Sequence, residues 1–69
     1  MKNENNIERS PLYKIGEIKM FIKNNLYRYG EIVDIIKGNK KISYEVMYFE
    51  EDGYYLKTII PEGSIVSFK

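Results

Sequence analysis

Residues 41–55 read KISYEVMYFEEDGYY, and this stretch decides the fold. Its first part alternates between two sets of side chains, which are Ile42, Tyr44, Val46 and Tyr48 on one face and Ser43, Glu45, Met47 and Phe49 on the other. Side chains of a β-strand point alternately to opposite faces, so the pattern predicts a strand at 41–49. The acids and the glycine at 50–53 predict a tight turn into a second strand that begins at Tyr54.

Turn signals of the same kind divide the chain on both sides of this hairpin. They lie at Gly16, Asn24-Asn25, Gly30, 37–39 and 61–63. The segments between them are short and rich in Ile, Val, Tyr and Phe, which favour strands. We predict five strands, at residues 17–23, 29–36, 41–49, 54–60 and 65–68. Short strands at this spacing are typical of a small barrel or sandwich.

The second predicted strand does not alternate regularly. Ile32 and Ile35 are three residues apart, with Asp34 between them. This spacing fits a bent or bulged strand better than a flat one. Small barrels need such bends to close, so the irregularity supports the same architecture.

A helical interpretation competes for the region before residue 40. Apolar side chains recur there at steps of three and four, at Ile15, Ile18, Ile22, Leu26, Tyr29, Val33 and Ile36. An amphipathic helix packed on the 41–60 hairpin would show this spacing, which gives an α+β alternative. Gly16 and Gly30 would each cost about 1 kcal/mol inside a helix relative to alanine, and β-branched residues are frequent. These features favour strands.

Composition narrows the classes of function. The 69-residue chain has no cysteine and no histidine. It therefore lacks thiolate ligands for zinc or iron, and it lacks the side chain best suited to proton transfer near neutral pH. No motif pairs a serine or threonine with a base, and no glycine-rich phosphate loop is present. We predict a protein that is not an enzyme and has no catalytic residues, cofactor or metal site.

The start of the chain predicts its location. Residues 1–12 are polar with balanced charges, so we predict a flexible tail before a folded unit at 13–69. The tail lacks the apolar run of a secretion signal, and no stretch approaches the roughly 20 apolar residues that cross a bilayer. We expect a cytoplasmic protein without membrane contact. Ile, Lys, Asn and Tyr have AT-rich codons and are abundant, which favours a low-GC genome such as that of a bacterium or its phage.

Residues 29–35, the basic hairpin after them and residues 46–53 form an ordered pattern. A small residue, Gly30, precedes two apolar residues three apart, and a later strand ends in Phe49 and an acidic turn. This order resembles the middle of Tudor and KOW-type SH3-like small β-barrels. Residues 61–66 are similar to the 3₁₀ turn and short last strand that finish such barrels. The resemblance covers most of 15–68 and implies an all-β, five-stranded SH3-like barrel with a short 3₁₀ turn before the last strand.

Tudor domains that bind methylated lysine or arginine use an aromatic cage. By resemblance, Phe49 takes the place of the aromatic that ends the third strand. Arg28 stands where a cage tyrosine is common, and Asp52 where an aromatic or an acid occurs. A bound cation needs ring faces within about 6 Å, and a resident arginine would repel it. The resemblance thus implies a partial cage, unless Tyr27 or Tyr29 completes it through a shifted register.

The charged loops define two ends of the predicted sheet. Successive hairpin loops of an antiparallel meander lie at opposite ends, so the basic loop at 37–41 should lie away from the acids at 50–52. The loop at 23–29 should share an end with these acids. We therefore predict a partner-binding site at an acidic, tyrosine-rich end formed by Tyr27, Arg28, Tyr29, Phe49, Glu50, Glu51, Asp52, Tyr54 and Tyr55.

Three functions follow from this layout. The first is a binding module for a protein partner with a basic surface, such as a phage or mobile-element factor that modulates or inhibits a host nucleic-acid machine. The alternative is a small nucleic-acid-binding barrel that uses surface tyrosines with Lys37, Lys40 and Lys41. With 11 basic and 10 acidic side chains, that role would depend on a local patch. The third is a homo-oligomer in which another copy completes an open sheet edge.

Overall fold

A computed structural model describes residues 10–66, so most of the predicted tail, residues 1–9, lies outside the described residues, as do 67–69. The described chain forms one antiparallel sheet in the order β1-β2-β3-β4. Its strands are β1 (Ile18–Lys23), β2 (Leu26–Lys37), β3 (Ile42–Phe49) and β4 (Tyr55–Pro61). The 3₁₀ turn expected after the last long strand is present at Glu62–Ser64. The all-β class is therefore confirmed.

The helical alternative for the region before residue 40 is wrong. The part of the chain that the structure describes contains strands and a 3₁₀ turn but no α-helix. Asn24 and Asn25 adopt positive φ angles of 54° and 65°, which interrupt any helix at this point. Ile15 precedes β1, and the other apolar residues at helical spacing lie in β1 and β2, whose backbone N–H and C=O groups form hydrogen bonds between strands.

The two asparagines form the turn between β1 and β2. Lys23 pairs directly with Leu26, so only Asn24 and Asn25 connect the strands. A two-residue hairpin with positive φ at both central positions has the geometry of a type I′ turn, in which asparagine is favoured. Because the turn is this short, β2 begins at Leu26, three residues before the predicted start.

The predicted bulge in β2 is confirmed. Ile32 pairs with Val46 and Asp34 pairs with Glu45, so Val33 is an extra residue without a partner in β3. The insertion shifts the alternation of side chains by one position. Ile32 is therefore buried and Ile35 also packs against the core, although they are three residues apart.

The core lies on one face of the sheet. The buried side chains are Tyr13, Phe21, Ile32, Ile42, Tyr44, Val46, Tyr48, Ile60 and Ile65. The predicted alternation of β3 is confirmed, because its four alternate apolar residues are all buried. Tyr13 precedes β1 and Ile65 follows the 3₁₀ turn, so both ends of the described chain cover the core. We call the opposite face of the sheet the outer face.

The predicted fifth strand and the closed barrel are not confirmed. Ile65 makes an isolated antiparallel bridge with Phe21, and the Val66 N–H donates a hydrogen bond of 2.8 Å to the Met20 carbonyl. This contact joins the end of the described chain to β1 but is limited to one bridge. The rest of the predicted strand, 67–68, lies outside the described residues. Within residues 10–66 the sheet has four strands, with β1 and β4 at its edges.

A buried hydroxyl attaches the segment before β1 to the sheet. The Tyr44 hydroxyl donates to Glu62 Oε2 at 2.5 Å and accepts from the Leu12 N–H at 3.1 Å. Burial raises the pKa of Tyr44, and the hydrogen bond to Glu62 raises it further. The Leu12 N–H also donates to Glu62 Oε2. The last residue of the predicted tail is thus bound to the body of the protein.

Candidate functional site

The two ends of the sheet have the predicted arrangement. The start of β2 and the turn between β3 and β4 lie at one end, where Arg28 Nε is 3.3 Å from Glu50 Oε2. The opposite end contains the hairpin between β2 and β3, because Lys37 pairs with Ile42. Lys37, Lys40 and Lys41 are exposed there. The basic loop and the acidic turn are therefore separated by the length of the sheet.

The residues of the predicted partner-binding site divide between the two faces of the sheet. Arg28 pairs with Phe21 and lies on the core face, where its guanidinium carbon is 5.8 Å from the centre of the Tyr48 ring. Tyr27 and Tyr29 flank it in β2, so they point to the outer face. Arg28 and these tyrosines consequently do not form one continuous surface.

The acidic turn uses two of its three carboxylates internally. Glu50 pairs with Arg28, and Asp52 Oδ1 accepts a hydrogen bond of 3.3 Å from the Tyr54 N–H. Gly53 has a positive φ of 97°, which permits the tight reversal. Glu51 and Tyr54 are exposed at the tip. The charge available to a partner is therefore smaller than the sequence of the turn indicates.

Three aromatic side chains meet on the outer face. Tyr29 of β2, Phe49 of β3 and Tyr55 of β4 line a shallow groove of about 230 Å³. The Phe49 and Tyr55 rings pack edge to face, with centroids 5.0 Å apart and an interplanar angle of 67°. We call this site the aromatic groove; its other lining residues are Ile18, Gly30, Glu31, Met47 and Tyr48.

Strand register explains why these three rings meet. Phe49 pairs with Tyr55 across β3 and β4. Gly30 pairs with Tyr48 at the end of the β2–β3 ladder, so Tyr29, the residue before Gly30, lies beside Phe49, the residue after Tyr48. The three residues therefore form one row across the sheet. All three lie on strands rather than in a loop.

Glu31 gives the aromatic groove a negative charge. It lies in the neighbouring row, opposite Ile18 in β1 and Met47 in β3. Within residues 10–66, no lysine or arginine forms an ion pair with Glu31. Aromatic faces attract cations through their quadrupole, and a nearby carboxylate adds to that attraction. The site can therefore receive a positively charged side chain beside apolar ones.

Large apolar side chains are exposed on the outer face, most of them in the groove itself. Large fractions of their surfaces are accessible to solvent, at 70% for Ile18, 67% for Tyr29, 66% for Tyr55, 59% for Ile59 and 55% for Phe49. Ile18 and the three rings line the groove, whereas Lys57 separates Ile59 from Tyr55 along β4. Exposed apolar surface at a groove is typical of an interaction site. The three rings were predicted from the sequence as site residues, but Ile18, Glu31 and Met47 were not. The alternation of β1 is the pattern that indicates Ile18, because Ile18 lies on the face opposite Phe21.

The lysines of the nucleic-acid alternative do not approach these rings. The hairpin that contains Lys37, Lys40 and Lys41 is closed by a hydrogen bond of 2.9 Å from the Gly38 N–H to the Lys41 carbonyl. Lys19, which could extend a basic surface, lies on the core side with its ammonium 5.1 Å from the centre of the Tyr13 ring. The basic hairpin and the aromatic groove are therefore separate features.

In residues 10–66, no group of three or more acidic side chains is arranged to hold a metal ion. The same range has no helix with the length and apolar character needed to cross a bilayer. No protein family, curated protein or solved structure matches this chain.

Proposed function

We propose that this chain is a non-catalytic protein-binding module of the SH3-like small-barrel type. The bulged β2, the 3₁₀ turn and the bridge from Ile65 to Phe21 support this fold assignment, because each is a feature expected of a small barrel. The single observation that carries the function is the aromatic groove. It is exposed, it lies on strands, and it combines three outward-facing rings with one carboxylate.

The chemistry of the groove defines the partner. A lysine or arginine side chain would place its charge near Glu31 and its apolar stem against the rings of Phe49 and Tyr55. Surrounding apolar residues of the partner would cover Ile18 and Met47. Aromatic side chains held on strands lose little conformational entropy on binding, which makes them effective anchors. The proposed partner is therefore a protein with a basic and partly apolar surface.

A basic surface is typical of enzymes that act on nucleic acids. The proposed role is therefore to modulate or inhibit such an enzyme, as a phage or mobile-element factor would. Direct binding of nucleic acid is the less favoured candidate, because Glu31 would repel phosphate from the aromatic groove. Three lysines on one hairpin also provide few phosphate contacts.

Tyr29 and Tyr54 form a matched pair for testing the proposal. Their exposures are nearly equal, at 67% and 68%, but only Tyr29 lines the groove. The immobilised protein should capture a partner from nuclease-treated bacterial lysate, and Tyr29→Ser should reduce capture at least about tenfold, the loss expected for an interface anchor. Tyr54→Ser should retain capture.

The nucleic-acid alternative predicts a different result. Double replacement of Lys40 and Lys41 by glutamate would then abolish binding to labelled DNA or RNA, and binding would weaken steeply with salt. The protein-binding proposal is wrong if Tyr29→Ser and Tyr54→Ser behave alike in the capture experiment. It is also wrong if the chain binds bare nucleic acid through those lysines and captures no protein.

A further inference from the structure

The outer edge of β4 presents unpaired backbone groups. β4 is the last strand in the sheet order, and within residues 10–66 nothing pairs with its other side. The Glu50 N–H donates a hydrogen bond of 2.8 Å to the Tyr54 carbonyl, so Tyr54 directs its backbone toward β3. Backbone direction alternates along a strand and the β3–β4 register is unbroken. The backbones of Tyr55, Lys57 and Ile59 therefore point away from the sheet.

Pro61 supports this assignment independently. It falls on the same alternation as Tyr55, Lys57 and Ile59, so its nitrogen also points outward. Proline has no N–H to donate and is found in sheets where that position faces away from the neighbouring strand. Tyr55, Lys57 and Ile59 each have a backbone N–H donor and a C=O acceptor that point outward. We call this row of groups the open edge of β4.

We infer that the open edge of β4 pairs with the same edge of a second copy of this chain. The two strands run antiparallel around a two-fold axis at Thr58. In this register Thr58 faces Thr58 of the second copy, Lys57 faces Ile59, Leu56 faces Ile60 and Tyr55 faces Pro61. Each Lys57–Ile59 pair exchanges two backbone hydrogen bonds, because the N–H and C=O groups of both residues point toward the other copy.

The side chains in this register are complementary. Tyr55, Leu56 and Ile59 are exposed apolar residues that gain cross-strand neighbours. The stem of Lys57 lies along Ile59 of the second copy while its ammonium stays in water. Thr58 opposite Thr58 is a favourable pair in antiparallel sheets. A two-fold interface uses one patch twice, so all these contacts occur in both directions.

Lys57 also selects the register. An axis at Lys57 would place two like charges directly opposite each other, which destabilises strand pairing. An axis at Ile59 would pair Lys57 with Pro61 and Tyr55 with Gly63, which extends the ladder beyond the end of β4. The axis at Thr58 uses the whole strand and keeps the two lysines on a diagonal. Lys57 therefore disfavours the register centred on itself and is accommodated in the register centred on Thr58.

The absence of cysteine from the chain allows a direct test. Opposite residues in a non-hydrogen-bonded antiparallel pair have Cα atoms about 4.5 Å apart, within the range of a disulfide. In oxidising buffer, Thr58→Cys should form a disulfide-linked dimer about tenfold faster than Lys57→Cys or Ile59→Cys, whose Cα atoms are farther from their own copies. Equal rates for the three variants would contradict the proposed axis.

A second measurement tests the association without cysteine. Sedimentation equilibrium of the unmodified chain should show a concentration-dependent dimer. Ile59→Lys should be monomeric at the same concentrations, because it places a second charge beside Lys57 of the other copy. Its circular dichroism spectrum should match that of the unmodified chain, since Ile59 is exposed. An unmodified chain that is monomeric throughout the measured range would overturn the inference. Tyr29→Ser should remain dimeric, so this result is independent of the proposed function.

Discussion

Gly30 lies directly against Phe21 of β1 and the backbone of Met47 in β3. A Cβ atom added there would lie 2.9 Å from Cε1 of the Phe21 ring and 3.0 Å from the Met47 carbonyl oxygen. Neither neighbour can move easily, because one is a buried ring and the other is backbone. We expect Gly30→Ala to lower the free energy of unfolding by about 1–3 kcal/mol, measured by urea denaturation. Gly63→Ala is the control, since nothing lies within 4 Å of its added Cβ.

Tyr44 should give the protein a specific response to alkaline pH. Its pKa is raised in the folded state by burial and by Glu62, so the folded protein retains this proton after the unfolded chain has lost it. The contribution to stability is complete below about pH 10, the ordinary value for tyrosine, and is lost as pH rises through the folded-state pKa. Urea titrations from pH 8 upward should show a shallower decline for Tyr44→Phe than for the unmodified chain.

The same substitution has an effect at neutral pH. Tyr44→Phe removes one of the two acceptors for the Leu12 N–H and the donor to Glu62. We expect a loss of about 1–2 kcal/mol at pH 7, typical of a buried hydrogen-bonding group. Parallel pH profiles for the two proteins would show that Tyr44 is not the titrating group.

At the level of elements, the turn between β1 and β2 can be tested by itself. Asn25 has a φ of 65°, a conformation that glycine adopts without strain and that valine disfavours. Asn25→Gly should leave stability unchanged or increase it. Asn25→Val should reduce the free energy of unfolding by about 1–2 kcal/mol in the same urea assay. Equal stability of the two variants would contradict the type I′ geometry.

The elements also show which sequence signals were sufficient. The alternation in residues 41–49 and the irregular spacing of Ile32 and Ile35 correctly predicted a strand and a bulge. Both depend on local backbone geometry, which neighbouring residues specify. The predicted start of β2, residue 29, is three residues too late. Residues 23–29 were expected to form a loop, whereas Asn24 and Asn25 alone form the turn.

On the scale of the whole molecule, stability depends on the segments that cover the core from both ends of the described chain. Ile65 is buried after the 3₁₀ turn and bridges Phe21, whereas Ile59 is mostly exposed in β4. Ile65→Ala should cost about 2–4 kcal/mol, and Ile59→Ala less than about 0.5 kcal/mol in the monomer. Thermal unfolding at low protein concentration measures both. Similar losses would show that Ile65 does not close the core.

The sequence is sufficient to predict the all-β class, the strand at 41–49, the bulge after Ile32 and the separation of the acidic and basic loops. These properties follow from the two-residue period of a strand and from the order of turns along the chain. The tertiary structure decided which aromatic residues form a surface. It directed Arg28 toward Tyr48, placed Tyr29 and Phe49 beside Tyr55, and left the outer edge of β4 without a partner strand among residues 10–66. Such outcomes depend on the register between strands, which joins residues far apart in sequence and is set by the packing of the whole core.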